Sequence, residues 1–197
     1  MHRIFILTGK SSSGKDTIYK KLLGREDLPL KKVVPYTTRP VRAGEKDGEA
    51  YHFCSEEEYF SLKESGKIIE ARAYDTVFGT WYYFTADDGQ IDLEKASYLM
   101  IGTPQSCISI RDYFGEEAVL PVYIHLDDGE RLARALKRER KQEKPAYEEM
   151  CRRFLADAAD FSEEKLAEAG IRDRFENTDL EECTGKIAAF IREKTSG

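Results

Sequence analysis

The sequence predicts an α/β fold: a central, mostly parallel sheet flanked by helices, carrying a small inserted, partly antiparallel lobe and a basic lid. Three observations predict it. Residues 3–8 (RIFILT) are apolar at both parities, as in a strand buried on both faces of a parallel sheet. Short apolar runs at 32–34, 98–101 and 121–126 recur between helical or loop-like stretches, the rhythm of a layered α/β domain. Between residues 39 and 88 that rhythm gives way to short polar–aromatic runs, which mark the insertion.

The elements follow in order. Gly9 breaks the first strand, and Ile18, Leu22 and Leu23 place one apolar face on the helix after it. Runs at 50–53, 68–73 and 80–84 are the strands of the inserted lobe, and a helix there begins at Ser55, boxed by Glu58, and stops at Gly66. Residues 131–144 are dense in Arg and Lys with little apolar periodicity, so they read as exposed. Pro145 starts a new segment with an apolar face at Phe154 and Leu155, and Gly170 closes a further turn. Asp179 with Glu182 announces the last helix, whose face is Leu180, Ile187, Phe190 and Ile191. The expected organisation is one domain over 1–197: a core of 1–34, 90–126 and 160–197, a lobe of 35–89 and a lid of 127–159.

Composition narrows the function. The 197 residues suit one domain, and 41% hydrophobic with 35% charged residues describes a soluble globular chain. Thirty-one Lys and Arg against 37 Asp and Glu leave a net charge of −6, which argues against a bulk nucleic-acid binder. An anionic ligand must then be held by locally clustered cations. Cys54, Cys107, Cys151 and Cys183 lie far apart and form no C-x-x-C pair, and His2, His52 and His125 are the only histidines. That predicts no zinc site and free thiols in a reducing cytosol. The apolar run at 4–7 is too short for a signal peptide or a membrane helix, so a cytoplasmic location without a membrane partner is expected.

The stretch GKSSSGKDT stands between a predicted strand and a predicted helix, the context of a phosphate-binding loop. Gly9 and Gly14 permit a backbone that turns several N–H groups into one hollow, Lys10, Ser11, Ser12 and Ser13 form its rim, and Lys15 adds a mobile cation. Asp16 stands where the pattern G-x-x-x-x-G-K-[ST] carries a hydroxyl, with Thr17 next. Beside triphosphate oxygens a carboxylate is tolerable if Mg²⁺ lies between, so Asp16 is a candidate metal ligand. As a first-turn residue it also suits the helix dipole, and both readings stand.

A second cluster follows in YTTRPVRAGEKDGEAYHF. Arg39 and Arg42 straddle Pro40 on one stiff loop, a pair able to clamp a phosphate, and Tyr51 adds a phenol donor. Here the sequence resembles the guanylate kinases, whose acceptor-binding segment reads T-T-R-x-x-R-x-G-E-x-x-G-x-x-Y-x-F. The resemblance runs on through the helix from Ser55, GKIIEARAY, FGT, the basic region and the late Asn-Thr-Asp. It implies a P-loop nucleoside monophosphate kinase fold and transfer of the ATP γ-phosphoryl group to GMP, with Mg²⁺ as the cofactor accompanying ATP. By that resemblance Arg39, Arg42, Glu45 and Tyr51 belong to the GMP phosphate segment, Glu70 reads the guanine edge and Thr80 assists at the base. Arg153 is a lid arginine reaching the triphosphate, Arg138 or Arg140 supplies another, and Asn177 lies beside the adenine. Lys15, Arg39 and Arg153 are the expected catalytic cations.

Four positions depart from the family pattern. Phe78 replaces a tyrosine that donates to the GMP phosphate, and Pro35 or Tyr36 replaces a serine that contacts guanine. Met100 and Gly102, in LMIGTPQ, replace two aspartates of L-D-I-D-x-Q-G. The carboxylate gained at Asp16 is then expected to compensate for one lost from the strand end. Two alternatives remain open: a kinase of another nucleoside monophosphate, and a non-catalytic guanylate-kinase-like binding module.

Overall fold

In chain order the elements are β1 (Ile4–Thr8), α1 (Lys15–Leu23), β2 (Leu30–Lys32), β3 (Tyr36–Thr37), β4 (His52–Phe53), α2 (Glu56–Glu64), β5 (Ile68–Thr76), β6 (Gly79–Ala86) and β7 (Ser97–Ile101). Then come α3 (Pro104–Phe114), β8 (Val119–His125), α4 (Asp128–Glu139), α5 (Tyr147–Asp160), α6 (Glu163–Glu168), β9 (Arg174–Glu176) and α7 (Leu180–Ser196). The computed structural model describes residues 1–42, 44–76 and 79–196.

Five parallel strands in the order β2-β7-β1-β8-β9 form the central sheet. β1 lies in the middle, and Ile4 to Leu7 are fully buried, which is why it is apolar at both parities. Phe5 and Leu7 pack with Ile18 and Leu22 of α1 and Ile187 and Ile191 of α7 on one face. Ile4 and Ile6 pack with Ile110 and Cys107 of α3 and Leu166 of α6 on the other. Each such side chain removed from water is worth about 1.5–3 kcal/mol, so the layers hold the loop after β1 on a rigid strand end.

The second sheet has the order β4-β3-β6-β5 and is partly antiparallel. β5 and β6 pair from Ile68↔Ala86 out to Thr76↔Gly79, with a register shift between Ile68 and Glu70. α2 covers this sheet. Ser55 Oγ accepts from Glu58 N at 3.1 Å, the Glu58 carboxylate accepts from Ser55 N at 2.7 Å, and Tyr59 stacks on Tyr82 at 4.1 Å.

Several expectations need correction. The run at 32–34 forms strand only over Leu30–Lys32, and Val33 and Val34 are buried just beyond its end. β9 is a three-residue strand with one half-buried aromatic, Phe175, too short to show a period. The basic stretch 131–144 is not wholly exposed: Arg131, Ala135 and Glu139 are buried along one face of α4. Arginine and glutamate at that spacing hide an inward face because they are buried by pairing. All four cysteines are free thiols. Among the described residues no helix is long and apolar enough to cross a membrane.

Candidate active site

The loop between β1 and α1 has the form its glycines demand. A Cβ on Gly9 would lie 2.7 Å from the Ile124 carbonyl oxygen and 2.8 Å from Ser13 Oγ. Gly14 has φ 93°, and a Cβ there would meet Asn177 Nδ2 at 2.3 Å. Ser12 also adopts a left-handed φ of 64°, a conformation rare outside glycine. The Ser12 and Ser13 hydroxyls are buried without a hydrogen-bond partner. Orphaned donors at the N-terminus of a helix make a ready anion site. Lys15 opens α1, and its Nζ lies 3.8 Å from Asp16. Thr17 is exposed on the same turn.

The loop is braced from outside by residues the sequence did not single out as a group. Asp157 of α5 accepts from Ser11 N at 2.8 Å and from Ser11 Oγ at 3.3 Å. Arg131 donates to the Ser11 carbonyl at 2.9 Å, to Asp157 at 3.1 Å and to Asp128 at 2.7 Å, and lies 4.8 Å from the Phe154 ring. Lys10 reaches Asp128 from the other side at 3.3 Å. Burial alone would raise the Asp128 carboxyl, but the Arg131 and Lys10 contacts outweigh it and hold it below the usual range. Asn177 is buried beneath the loop, where Nδ2 donates to the Ser13 carbonyl at 2.6 Å. This side chain shapes the loop from below, while its Oδ1 stays without a partner. Arg138 and Arg153 line a narrow crevice beside Ser11 and Ser12. Arg140 is exposed at the end of α4.

Arg39 is 3% exposed, and its guanidinium lies over the rings of Tyr51 and Phe53 at 5.7 and 5.5 Å. Its Nη1 and Nη2 donate to the two Glu45 oxygens at 3.0 and 2.8 Å, and Nη1 also donates to the Pro40 carbonyl at 2.8 Å. Glu45 further accepts from Arg42 N at 2.8 Å. The Arg39 and Arg42 contacts hold the Glu45 carboxyl below its ordinary range. Glu45 therefore fixes the Arg39 guanidinium and the Arg42 backbone, while the Arg42 side chain is exposed and has no hydrogen-bond partner among the described residues. Burial pushes the Tyr51 phenol above its usual range; the charges of Tyr83 and Asp16 add to this, and Arg72 and Arg39 oppose it. Tyr51 is thus a neutral O–H donor near pH 7.

Glu70 is 5% exposed and held at both oxygens: Thr85 Oγ1 donates to Oε1 at 3.1 Å and Ser106 Oγ to Oε2 at 3.2 Å. Thr80 is not its neighbour. It pairs with Asp75 near the hairpin tip, and its Oγ1 donates a hydrogen bond to that carboxylate at 2.8 Å. The partner of Glu70 across the ladder is Thr85, five residues or about 17 Å further along β6. Met100 is buried in the core with Ile4 and Ile6. Gly102 has no room for a side chain, since a Cβ would meet Ile6 Cγ2 at 2.8 Å and Ser106 Cβ at 3.1 Å. Phe78 lies outside the described residues. A cleft of about 320 Å³, within the range of small-molecule sites, opens between Arg72–Tyr74 of β5, the start of α3 and α6.

Among the described residues no three His, Cys, Asp or Glu side chains converge as a metal site. Asp16, 76% exposed and beside Lys15, is the carboxylate at the mouth of the loop. A lone carboxylate suits a Mg²⁺ that arrives with a triphosphate and keeps most of its waters.

Comparison with known proteins agrees with this layout. The family model described as Guanylate kinase matches residues 1–194. A guanylate kinase of Anaplasma phagocytophilum (strain HZ) is 29% identical over 203 residues, covering 96% of this chain and 85% of that protein. One from Neisseria gonorrhoeae is 41% identical over 98 residues, 50% of this chain and 45% of that one. A crystal structure of guanylate kinase from Anaplasma phagocytophilum superposes with a TM-score of 0.63 at 28% identity, covering 98% of this chain and 86% of the other.

Proposed function

The chain belongs to the guanylate kinase family, and on that premise we propose that it transfers the γ-phosphoryl group of ATP to GMP, giving ADP and GDP. One observation carries the reading: a glycine loop whose buried Ser12 and Ser13 hydroxyls lack partners beside Lys15, together with a second cationic site in which Glu45 fixes the buried Arg39.

The mechanism follows from positioning and charge. A phosphate oxygen of GMP forms a bond to the γ-phosphorus while the bond from that phosphorus to the β,γ-bridging oxygen breaks, and ADP leaves. The loop amides, the Ser12 and Ser13 hydroxyls and Lys15 hold the donor. Arg39, pre-set by Glu45, and Arg42 and Tyr51 hold the acceptor phosphate and offset its charge. Glu70, fixed by Thr85 and Ser106, accepts from N1–H and the 2-amino group of guanine. Adenine lacks that donor pair, so binding it would leave a buried carboxylate unpaired. Arg138 and Arg153 close over the triphosphate and exclude water, which limits ATP hydrolysis. Asp16 would hold Mg²⁺, which when bound neutralises charge on the phosphates. The same reading makes the protein an enzyme of purine nucleotide metabolism in the cytoplasm, with α4 and α5 as its lid.

A steady-state assay of ADP release with ATP and GMP, with AMP and dGMP alongside, tests this. Turnover is expected with GMP and far less with AMP. ATP binding without turnover on any monophosphate would overturn the reading.

A further inference from the structure

Next to Glu70 on β5 stands a cation, Arg72, to which the mechanism above gives no role. Arg72 follows Glu70 by two residues on β5, so both side chains leave the same face of the strand. Its Nε lies 3.4 Å from Glu70 Oε2, within ion-pair reach but without hydrogen-bond geometry, and is buried. Among the described residues neither Nη nitrogen has a hydrogen-bond partner, although the side chain is only 24% exposed. Arg72 lines the 320 Å³ cleft with Thr103 and Gln105 of the α3 start, and with Asp160, Lys165 and Glu168, of which Lys165 pairs with Asp160 and neither carboxylate pairs with Arg72. A planar guanidinium held largely out of water with its donors free favours a ligand that accepts from it.

The surroundings say what it would accept from. Glu70 is fixed at both oxygens, so it and Arg72 present an acceptor and a donor side by side. The guanine edge offers the complement in the same order: N1–H and the 2-amino group as donors, then the 6-carbonyl oxygen as acceptor. By the resemblance this chain lacks one guanine contact of the family pattern, at Pro35 or Tyr36.

We propose that Arg72 is a specificity-determining residue that donates to the 6-carbonyl oxygen of the acceptor purine, beside the Glu70 carboxylate. The proposal rests on the GMP reading above. It makes discrimination two-sided: adenine deprives Glu70 of its donors and turns a 6-amino donor toward a guanidinium that can only donate.

The test compares kcat/KM of the wild type, Arg72→Met and Arg72→Lys on three acceptors. GMP carries every group, IMP lacks the 2-amino group, and 6-thio-GMP replaces the 6-carbonyl oxygen with a weakly accepting sulfur. Arg72→Met should lose about ten- to hundredfold on GMP and on IMP, the range of one charge-assisted hydrogen bond, and far less on 6-thio-GMP. The wild-type preference for GMP over 6-thio-GMP should then collapse while its preference for GMP over IMP survives. Arg72→Lys, which keeps the charge without the fork, should fall between. An equal loss on all three acceptors would mean that Arg72 serves the phosphate, and a collapse of the GMP-to-IMP ratio would mean that it only supports Glu70; either overturns the proposal. A wild type inactive on all three would instead overturn the acceptor reading. Thermal unfolding of each variant separates loss of contact from loss of fold, and Arg72→Gln replaces Arg72→Met if the latter unfolds.

Discussion

Replacing Arg131 by methionine isolates the contact that ties the lid helices to the phosphate loop. The Arg131 side chain is 1% exposed and reaches Asp128, Asp157 and the Ser11 carbonyl. Methionine fills much of the volume and keeps contact with Phe154, so the loss is mainly polar. Asp128 is 51% exposed and can rehydrate, whereas Asp157 is 14% exposed and keeps only the Ser11 donors. Removing one partner of a buried pair costs about 3–5 kcal/mol, and the exposure of Asp128 places this case near 3 kcal/mol. For a chain of this length that corresponds to a fall in Tm of about 6–12 °C, readable by circular dichroism.

The same variant has a second readout. Asp157 holds Ser11 N–H, so a destabilised carboxylate loosens the first turn of the loop, and calorimetry should show weaker ATP binding. In Arg131→Met/Asp157→Leu the orphaned carboxylate is gone, and the double variant should be more stable than the two single losses added together by at least about 1 kcal/mol. A drop in Tm below about 2 °C for Arg131→Met, or strict additivity in the cycle, would refute the claim that this pair is a coupled buried unit.

Two further outcomes are expected. Asp16→Ala should lower turnover by about 10–100-fold and raise the Mg²⁺ concentration needed for half-maximal rate, measured by Mg²⁺ titration at fixed ATP; unchanged values would show that Asp16 serves only the helix dipole. The carboxyls of Glu45, held down by Arg39, and Glu149, held down by Arg152, lie below their ordinary values in the folded chain, as does Asp128, where Arg131 outweighs burial. A depressed folded pKa adds stability above the unfolded pKa and loses it as pH falls through the folded one, so urea midpoints should be level from about pH 8 to 5 and decline below about pH 4. A rise on acidification would contradict these assignments.

What could be read ahead of the structure depended on how far a signal reaches along the chain. β1, α1 and the loop between them were legible because two-sided apolarity, glycine spacing and Lys15 are all local. Ser55 with Glu58 predicted the start of α2 for the same reason: both partners of the capping box lie within one turn. Arg131 was read as exposed because the carboxylate that buries it, Asp157, comes 26 residues later on another helix. β9 was missed because three residues carry no period, and its strand state is set by pairing with β8.

The case of Thr80 shows how likeness in order and contact in space can part. Arg39, Glu45 and Tyr51 lie within one compact segment and meet at the Arg39 guanidinium. A role on a hairpin depends on register instead: one residue of slip turns a side chain to the other face, and every further residue moves it about 3.4 Å along the strand. β5 and β6 pair over almost their whole length, and that registry places Thr85, not Thr80, opposite Glu70. The signal that was available is the two-residue period of β5 itself, which sets Arg72 on the face of Glu70 whatever the registry of β6. Contacts defined within one strand survive divergence of the hairpin, whereas contacts defined across it must be rebuilt. On the proposed reading of Glu70, Arg72 two positions on is therefore the residue best placed to add a second contact to the acceptor base.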